Sequence, residues 1–231
     1  MMNNRIVDIV IPAYNEQQSV ALVINDIPKG LIRHIVVCDN NSTDLTAQVA
    51  RDAGAVVLRE TEQGYGAACL RGLDFLRKQD PQPDIVVFLD ADYSDYPEEL
   101  PLILEPIISG KAEMVIGARV ARFREKGSMM PQQIFGNWLA TWMMSILFGG
   151  RFTDLGPFRA ITWRGLEEIE MKDRNFGWTV EMQVKALKKK ISWAEVPVHY
   201  RCRKGVSKVS GTVRGSVMAG YKIIFTILRY A

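Results

Sequence analysis

The sequence has little with which to build a zinc or disulfide centre. Its two histidines, His34 and His199, lack any metal-motif spacing, which excludes hydrolase chemistry of the HExxH kind. Its three cysteines, Cys38, Cys69 and Cys202, are odd in number, far apart and free of any CxxC pair. That argues against a disulfide framework and for a reducing cytosol. Gly64-Tyr65-Gly66 lacks the third glycine of GxGxxG, because Cys69 stands there, and no GK[ST] occurs. A Rossmann dehydrogenase and a P-loop kinase both lose support. The N-terminus has no apolar h-region or small-residue cleavage site and reads straight into a strand, so no signal peptide is expected. Charge is absent from Gly127 to Gly150, yet the apolar core, Ile134–Phe148, is 15 residues. A spanning helix needs roughly 20. Repeats and low-complexity linkers are missing too. The 231 residues therefore read as one domain over 1–231, with a first half at 1–119 and a second at 120–231.

What is present begins with an alternation. Apolar, β-branched runs occur at Ile6–Ile11, His34–Cys38, Ala55–Leu58, Ile85–Leu89 and Met114–Ile116. Helical-period stretches lie between them near Glu16–Asp26, Asp44–Ala53, Gly66–Lys78 and Pro97–Ser109. The fold class is α/β, with a mostly parallel central sheet flanked by helices. Ligands in such sheets bind beyond the carboxyl ends of the strands. After Arg119 the pattern predicts a strand at Phe158–Trp163, a helix at Thr179–Lys189, a strand at Ile191–Tyr200 and a last helix from about Val213. In the uncharged stretch, Trp138 and Trp142 are one turn apart and share a face. That helix suits a membrane interface, or equally the domain core or a dimer interface. Basic residues gather in the loop holding Arg119, Arg122, Arg124 and Lys126. From His199 to Ala231 there are seven Lys/Arg and no Asp/Glu, against a whole-chain net charge of +3. A basic tail on an acidic body points to an anionic partner. No recognition helix accompanies those arginines, so nucleic acid ranks low.

The strongest chemical signal is Asp90-Ala91-Asp92 at the end of an apolar run. In extended chain, residues i and i+2 point to one side, so both carboxylates converge. Such a pair repels itself unless a cation sits between, and a divalent ion sharing diphosphate oxygens is the natural occupant. The first strand-to-helix turn, Pro12-Ala13-Tyr14-Asn15-Glu16, offers the Tyr14 ring to a nucleobase and Glu16 to ribose hydroxyls. It reads equally as a helix start. After the second strand, Asp39 suits recognition of base N–H groups or ribose, while Ser42 or Thr43 can cap the next helix. Gly64 and Gly66 open a helix whose N–H groups can meet an anion.

In this order the pieces resemble family-2 glycosyltransferases with the GT-A fold, over nearly the whole chain. The motifs are the opening IPAYNE, the DNNSTD turn, the DAD carboxylates and Gly205-Val206-Ser207-Lys208. Within that family the sequence looks most like the polyprenyl- or dolichyl-phosphate sugar synthases. The resemblance implies a Rossmann-like nucleotide-binding half and inverting transfer from a UDP- or GDP-sugar, with Mg²⁺ or Mn²⁺ at Asp90 and Asp92. By position, Pro12, Ala13, Tyr14, Glu16 and Asp39 would contact the nucleoside. Arg119 and the arginine-rich segment before Ser207-Lys208 would face phosphates. Three departures stand out. Ser94 occupies a position where the family often has a metal-binding Gln. Gly156-Pro157-Phe158-Arg159 keeps only Phe-Arg of the family's turn. Cys202 replaces an arginine, leaving Arg201 and Arg203 as its possible heirs.

An anionic lipid phosphate needs no general base, and Arg119, Arg122, Arg124, Arg203 and Lys208 would orient the phosphates. A hydroxyl acceptor needs a carboxylate base, for which Glu181 and Asp154 are the candidates. The expected setting is the cytoplasmic face of a membrane, with a nucleotide sugar, a polyprenyl phosphate and an anionic surface as partners. A nucleotidyltransferase, which would release pyrophosphate, and a catalytically silent subunit of a membrane complex are the rival readings.

Overall fold

A computed structural model describes residues 5–205 and 213–231. The apolar runs form strands β1 (Val7–Ala13), β2 (His34–Asp39), β3 (Val56–Arg59), β4 (Ile85–Phe88) and β5 (Met114–Ala118). Every residue of β1, β4 and β5 is buried, as expected of strands covered on both faces. Between them run helices α1 (Val20–Asp26), α2 (Thr46–Asp52), α3 (Tyr65–Leu76) and α4 (Leu100–Ile108). The second half contributes α5 (Pro131–Phe148), β6 (Arg159–Thr162), α6 (Trp163–Ile169), α7 (Trp178–Lys189), β7 (Trp193–Pro197) and α8 (Val213–Tyr230). The sequence pattern does not foresee α6. It follows β6 without a linker, because the Thr162 hydroxyl accepts the Gly165 amide at 3.1 Å and starts the helix at once.

One seven-stranded sheet results, in the order β3-β2-β1-β4-β6-β5-β7. Neighbours are parallel except β6, which runs antiparallel to both β4 and β5. β1 sits between β2 and β4, so the chain departs to one side of it and returns on the other. That makes the β1/β4 boundary the switch point, where the crevice opens beyond the carboxyl ends. Side chains alternate between two cores. Val10 and Phe88 pack with α3, α7 and α8 on one face; Ile9, Ile11 and Val87 pack with α1 and α4 on the other.

Two packing details position the site. Helix α3 lies directly on the sheet at Gly72, where an added Cβ would come within 2.6 Å of Val10 Cγ1 and 3.0 Å of Cys38 Sγ. Helices α5 and α8 pack on each other, and each leaves an apolar stripe in the open. On α5 this is Phe135, Trp138, Trp142 and Ile146; on α8 it is Tyr221, Phe225 and Leu228. Spacings of three and four residues put each set on one helix face. The inner side of α5 buries only Ala140, Thr141 and Met144, so α5 is not the core helix the sequence allowed. Among the described residues, no helix is long and apolar enough to cross a membrane.

Gly72→Val tests the seating of α3. The branched side chain overpacks the Val10–Cys38 contact, and unfolding in urea should show a loss of about 1–3 kcal/mol.

Candidate active site

The loops after β1 and β2 are stitched to each other by side chains. The Asn15 amide donates to Ser42 Oγ at 2.9 Å, the Thr43 amide to Asn15 Oδ1 at 2.8 Å, and the Glu16 amide to Thr46 Oγ1 at 2.7 Å. Asn15 and Asn41 both take left-handed backbone, which asparagine tolerates better than most residues. Ser42 and Thr43 thus bind the neighbouring loop and do not cap α2, contrary to the sequence reading. It is the Asp44 carboxylate that accepts the Thr46 amide at the start of that helix.

The loop after β4 carries the two carboxylates. Asp90 Oδ1 accepts the Tyr65 hydroxyl at 2.9 Å, and Asp92 Oδ1 accepts both the amide and the hydroxyl of Ser94, at 2.9 and 2.6 Å. The other Asp92 oxygen lies 3.2 Å from Arg203, whose Nη2 also donates to Glu16 Oε1 at 2.9 Å. Burial and the neighbouring charge of Asp92 push the Asp90 carboxyl up to about 7, although Tyr65 and Arg203 pull it down. Asp95 is buried with neither oxygen hydrogen-bonded among the described residues. Burial, then Asp90 and Asp92, raise its carboxyl well above the ordinary range and favour the neutral acid.

The structure separates the two candidate arginines. Arg201 lies over the rings of Tyr93 and Tyr96, 3.4 and 4.2 Å from their centroids, and donates to the carbonyls of Tyr93 and Asp95. It thereby clamps Tyr93, which sits in left-handed backbone between the site's Asp92 and Ser94. Arg203 alone of the two reaches the carboxylates.

Two contiguous cavities meet here. The first, about 370 Å³, is lined by Pro12, Ala13, Tyr14, Glu16, Gly64, Asp90, Asp92 and Arg203, together with Asn40, Asn175 and Phe176. The second, about 350 Å³, shares Tyr65, Asp90, Asp92, Phe176 and Arg203 with it. It adds Arg119, Gln132, Gln133, Asn137 and Tyr200, and closes against Ala219, Gly220 and Ile223 of α8. Among the described residues lining it, Asp90 and Asp92 are the only acids.

Several expected site residues act elsewhere. The carboxylate of Glu181 is buried and accepts the amides of Lys172 and Asp173, the Tyr230 hydroxyl and the Lys185 ammonium. It fastens the 172–177 loop and the end of α8, and lines neither cavity. The N–H groups expected to meet an anion at α3 are already committed. Gly64 donates to Asn40 Oδ1, Gly66 to the Asn175 carbonyl and Ala67 to the Arg174 carbonyl. Gly64 and Gly66 are glycines for another reason: an added Cβ at either would stand 2.0 Å from a carbonyl oxygen of the 173–174 segment. Asp39 is buried and accepts the Ser42 amide at 3.3 Å, and is not among the described residues lining the first cavity. Asp154 grips Arg119 through both oxygens, at 2.7 and 2.8 Å, and accepts its amide as well. Burial works against the Arg119 charge, and Asp154 outweighs it. Lys208 and Ser207 lie outside the described residues. Arg159, fully buried, donates to the carbonyls of Leu155, Gly156 and Thr179 and so shapes the wall of the second cavity.

Sequence reasoning did not single out the Tyr65 ring, Asn40, Phe176 or Tyr200. Only Asn40, beside Asp39 at a strand end, had a local signal. Among the described residues, no three His, Cys, Asp or Glu side chains are grouped to hold a metal. Asp90 and Asp92 do suit a hard divalent ion that takes its other ligands from phosphate oxygens, as Mg²⁺ commonly does.

The model for glycosyl transferase family 2 matches residues 8–166. An uncharacterized glycosyltransferase of Mycobacterium tuberculosis is 35% identical over 92% of this chain and 94% of its own. A dolichyl-phosphate hexose transferase of Haloferax volcanii is 31% identical over 91% of this chain and 89% of its own. Among solved structures, glucosyl-3-phosphoglycerate synthase from M. tuberculosis, in complex with Mn²⁺, UDP and glucosyl-3-phosphoglycerate, superposes with a TM-score of 0.79. It is 21% identical, with 98% of this chain and 80% of that one covered. The likeness shows the GT-A fold.

Replacing Glu181 with Ala should cost about 3 kcal/mol of stability in urea unfolding near neutral pH, since Lys185 and two amides lose a buried partner. Burial raises the Glu181 carboxyl, but Lys185, Tyr230 and the amides outweigh it and hold it below the ordinary glutamate range. Its contribution is therefore full above that range. The gap between wild type and variant should close as pH falls through the lowered pKa.

Proposed function

This chain belongs to glycosyltransferase family 2, and from that premise we propose that it transfers a hexose from a UDP- or GDP-sugar to a polyprenyl phosphate at the cytoplasmic face of a membrane. The observation that carries the acceptor class is the make-up of the second cavity. Its described lining offers arginine, amide and hydroxyl groups, and no acid besides Asp90 and Asp92. Glu181 and Asp154, the two candidate bases, are committed to other partners. An acceptor already anionic near neutral pH needs no base, which favours a phosphate over a hydroxyl.

In this reading the nucleoside lies in the first cavity against Pro12, Ala13 and Tyr14. Asp90 and Asp92 would hold Mg²⁺ or Mn²⁺, which supplies positive charge to the departing diphosphate. Tyr65 and Ser94 fix one oxygen of each carboxylate and so orient the pair. Arg203 reaches both cavities and can meet the diphosphate, while Arg119 at the wall of the second faces the acceptor phosphate. The acceptor oxygen attacks from the side opposite the leaving group. Bond-making then occurs at the shared boundary of the cavities.

The membrane part rests on the aromatic stripes of α5 and α8, the exposed Arg122 and Lys126 in the loop before α5, and the similarity to the dolichyl-phosphate hexose transferase of Haloferax. Aromatic and basic residues together suit an anionic headgroup region.

Nucleoside diphosphate release from a panel of UDP- and GDP-sugars, with and without a short polyprenyl phosphate, tests the whole reading. Release should require the lipid phosphate and a divalent metal. Asp90→Asn or Asp92→Asn should lower it by about 100-fold or more. Release to a hydroxyl acceptor with no lipid phosphate present would overturn the acceptor assignment. Independently, reversing Arg122 and Arg124 to Glu should weaken binding to anionic liposomes about tenfold or more in low salt. Unchanged liposome binding would remove the membrane from the proposal.

A further inference from the structure

Three of the four oxygens of Asp90 and Asp92 already have protein partners, and one of those partners differs in kind. Tyr65 on Asp90 Oδ1 and Ser94 on Asp92 Oδ1 are neutral donors. They orient the carboxylates and leave the charge uncompensated. Arg203, 3.2 Å from Asp92 Oδ2, is a full cation, and both it and Asp92 line the two cavities. A divalent ion on that oxygen would stand within a few ångströms of the guanidinium, and the two would repel strongly in a half-buried setting. Each therefore weakens the other's hold on the carboxylate.

We propose that Arg203 is the resident counter-ion of this carboxylate pair, displaced when a divalent cation binds, and that its release ties metal affinity to the presence of the nucleotide diphosphate. The proposal rests on the metal-dependent, nucleotide-sugar reading above and adds a positioning role to it. Of the arginines at the site, Arg203 is the least held. Arg119 is gripped by both oxygens of Asp154, and Arg201 is sandwiched between two tyrosine rings. Arg203 is bound through Nη2 to Glu16 and Asp92, while its buried Nε has no partner among the described residues. Its side chain remains about 30% exposed, so rotation into the cavity meets an opening.

The backbone supports a swing of the side chain alone. The Lys204 amide donates to the Asp92 carbonyl at 2.9 Å, which keeps this segment beside the β4 loop whatever the guanidinium does. Once freed from Asp92, Arg203 stands at the boundary where a diphosphate would lie, and a second anion replaces the first. Metal alone must break the Arg203–Asp92 contact and leaves the guanidinium only Glu16. Metal with nucleotide gives Arg203 a new partner. By linkage the coupling is reciprocal, so nucleotide affinity rises with metal by the same factor.

The test is Mn²⁺ titration of the full chain, followed by the electron paramagnetic resonance signal of free Mn²⁺, with and without UDP or GDP. Wild type is compared with Arg203→Gln and Arg203→Lys. Without nucleotide, Arg203→Gln should bind Mn²⁺ about fivefold tighter than wild type. The enhancement by nucleotide should shrink by at least the same factor. Arg203→Lys, which keeps the charge, should stay near wild type. Equal or weaker Mn²⁺ binding by Arg203→Gln without nucleotide, while wild type binds Mn²⁺ with nucleotide, overturns this inference and leaves the proposed function standing. Tighter binding by Arg203→Lys to the same extent as Arg203→Gln also overturns it, because charge would not be the competitor. Wild type that binds no Mn²⁺ with either nucleotide overturns the metal-dependent reading and this inference together.

Discussion

Two carboxylates two residues apart in the loop after a buried strand push against each other, and hydrogen bonds from Tyr65 and Ser94 hold both in place. Burial, and then the charge of Asp92, raise the affinity of Asp90 for its proton, while Asp92 is paired with an arginine. Asp95, three residues further on, is driven toward the neutral acid by burial first and then by the charges of Asp90 and Asp92. The loop between is held in an unfavourable left-handed turn at Tyr93, and Arg201 stacks on that ring to keep it there. Strain and like charge are thus concentrated in the one loop that follows β4.

Charge alone says little about what an arginine does. Arg119, Arg159, Arg201 and Arg203 all lie near this loop, and each meets a different fate. A carboxylate neutralises Arg119, three carbonyls surround Arg159, two rings enclose Arg201, and Arg203 bridges acids from separate loops. For Arg119, Arg201 and Arg203 the fate follows from partners distant in sequence, whereas two of the three carbonyls around Arg159 are only three and four residues away. Composition marks the region as basic, and only the fold divides the labour.

That division explains which parts were legible in the sequence. Strands β1, β4 and β5 were readable because burial on both faces forces unbroken apolar runs, and β2 and β3 because their Val-rich runs stand between helical stretches. The DAD pair was found by its place after β4, although it lies in a turn and not in extended chain. The readings that failed concern groups whose role depends on tertiary partners. Glu181 at a helix start looks the same whether it faces a substrate or the amides of Lys172 and Asp173. Ser42 and Thr43 have the spacing of caps, but the β1 loop reaches them first. Tyr65 lay inside a glycine motif whose glycines drew attention from the ring between them. Arg203 and Glu16 are 187 positions apart, and nothing local announces their contact.

The close approach of α3 to the 173–175 segment has a consequence for how this sequence can vary. At Gly64 and Gly66 the carbonyls of Arg174 and Asp173 occupy the space a methyl group would need, and the same carbonyl face accepts the first helix amides. Neither side can change alone. A larger residue at 64 or 66 expels the segment that carries Phe176 between the two cavities. An insertion in that segment leaves helix amides bare. The two stretches, more than 100 positions apart, form one packing unit, and a substitution that enlarges either has to displace the other.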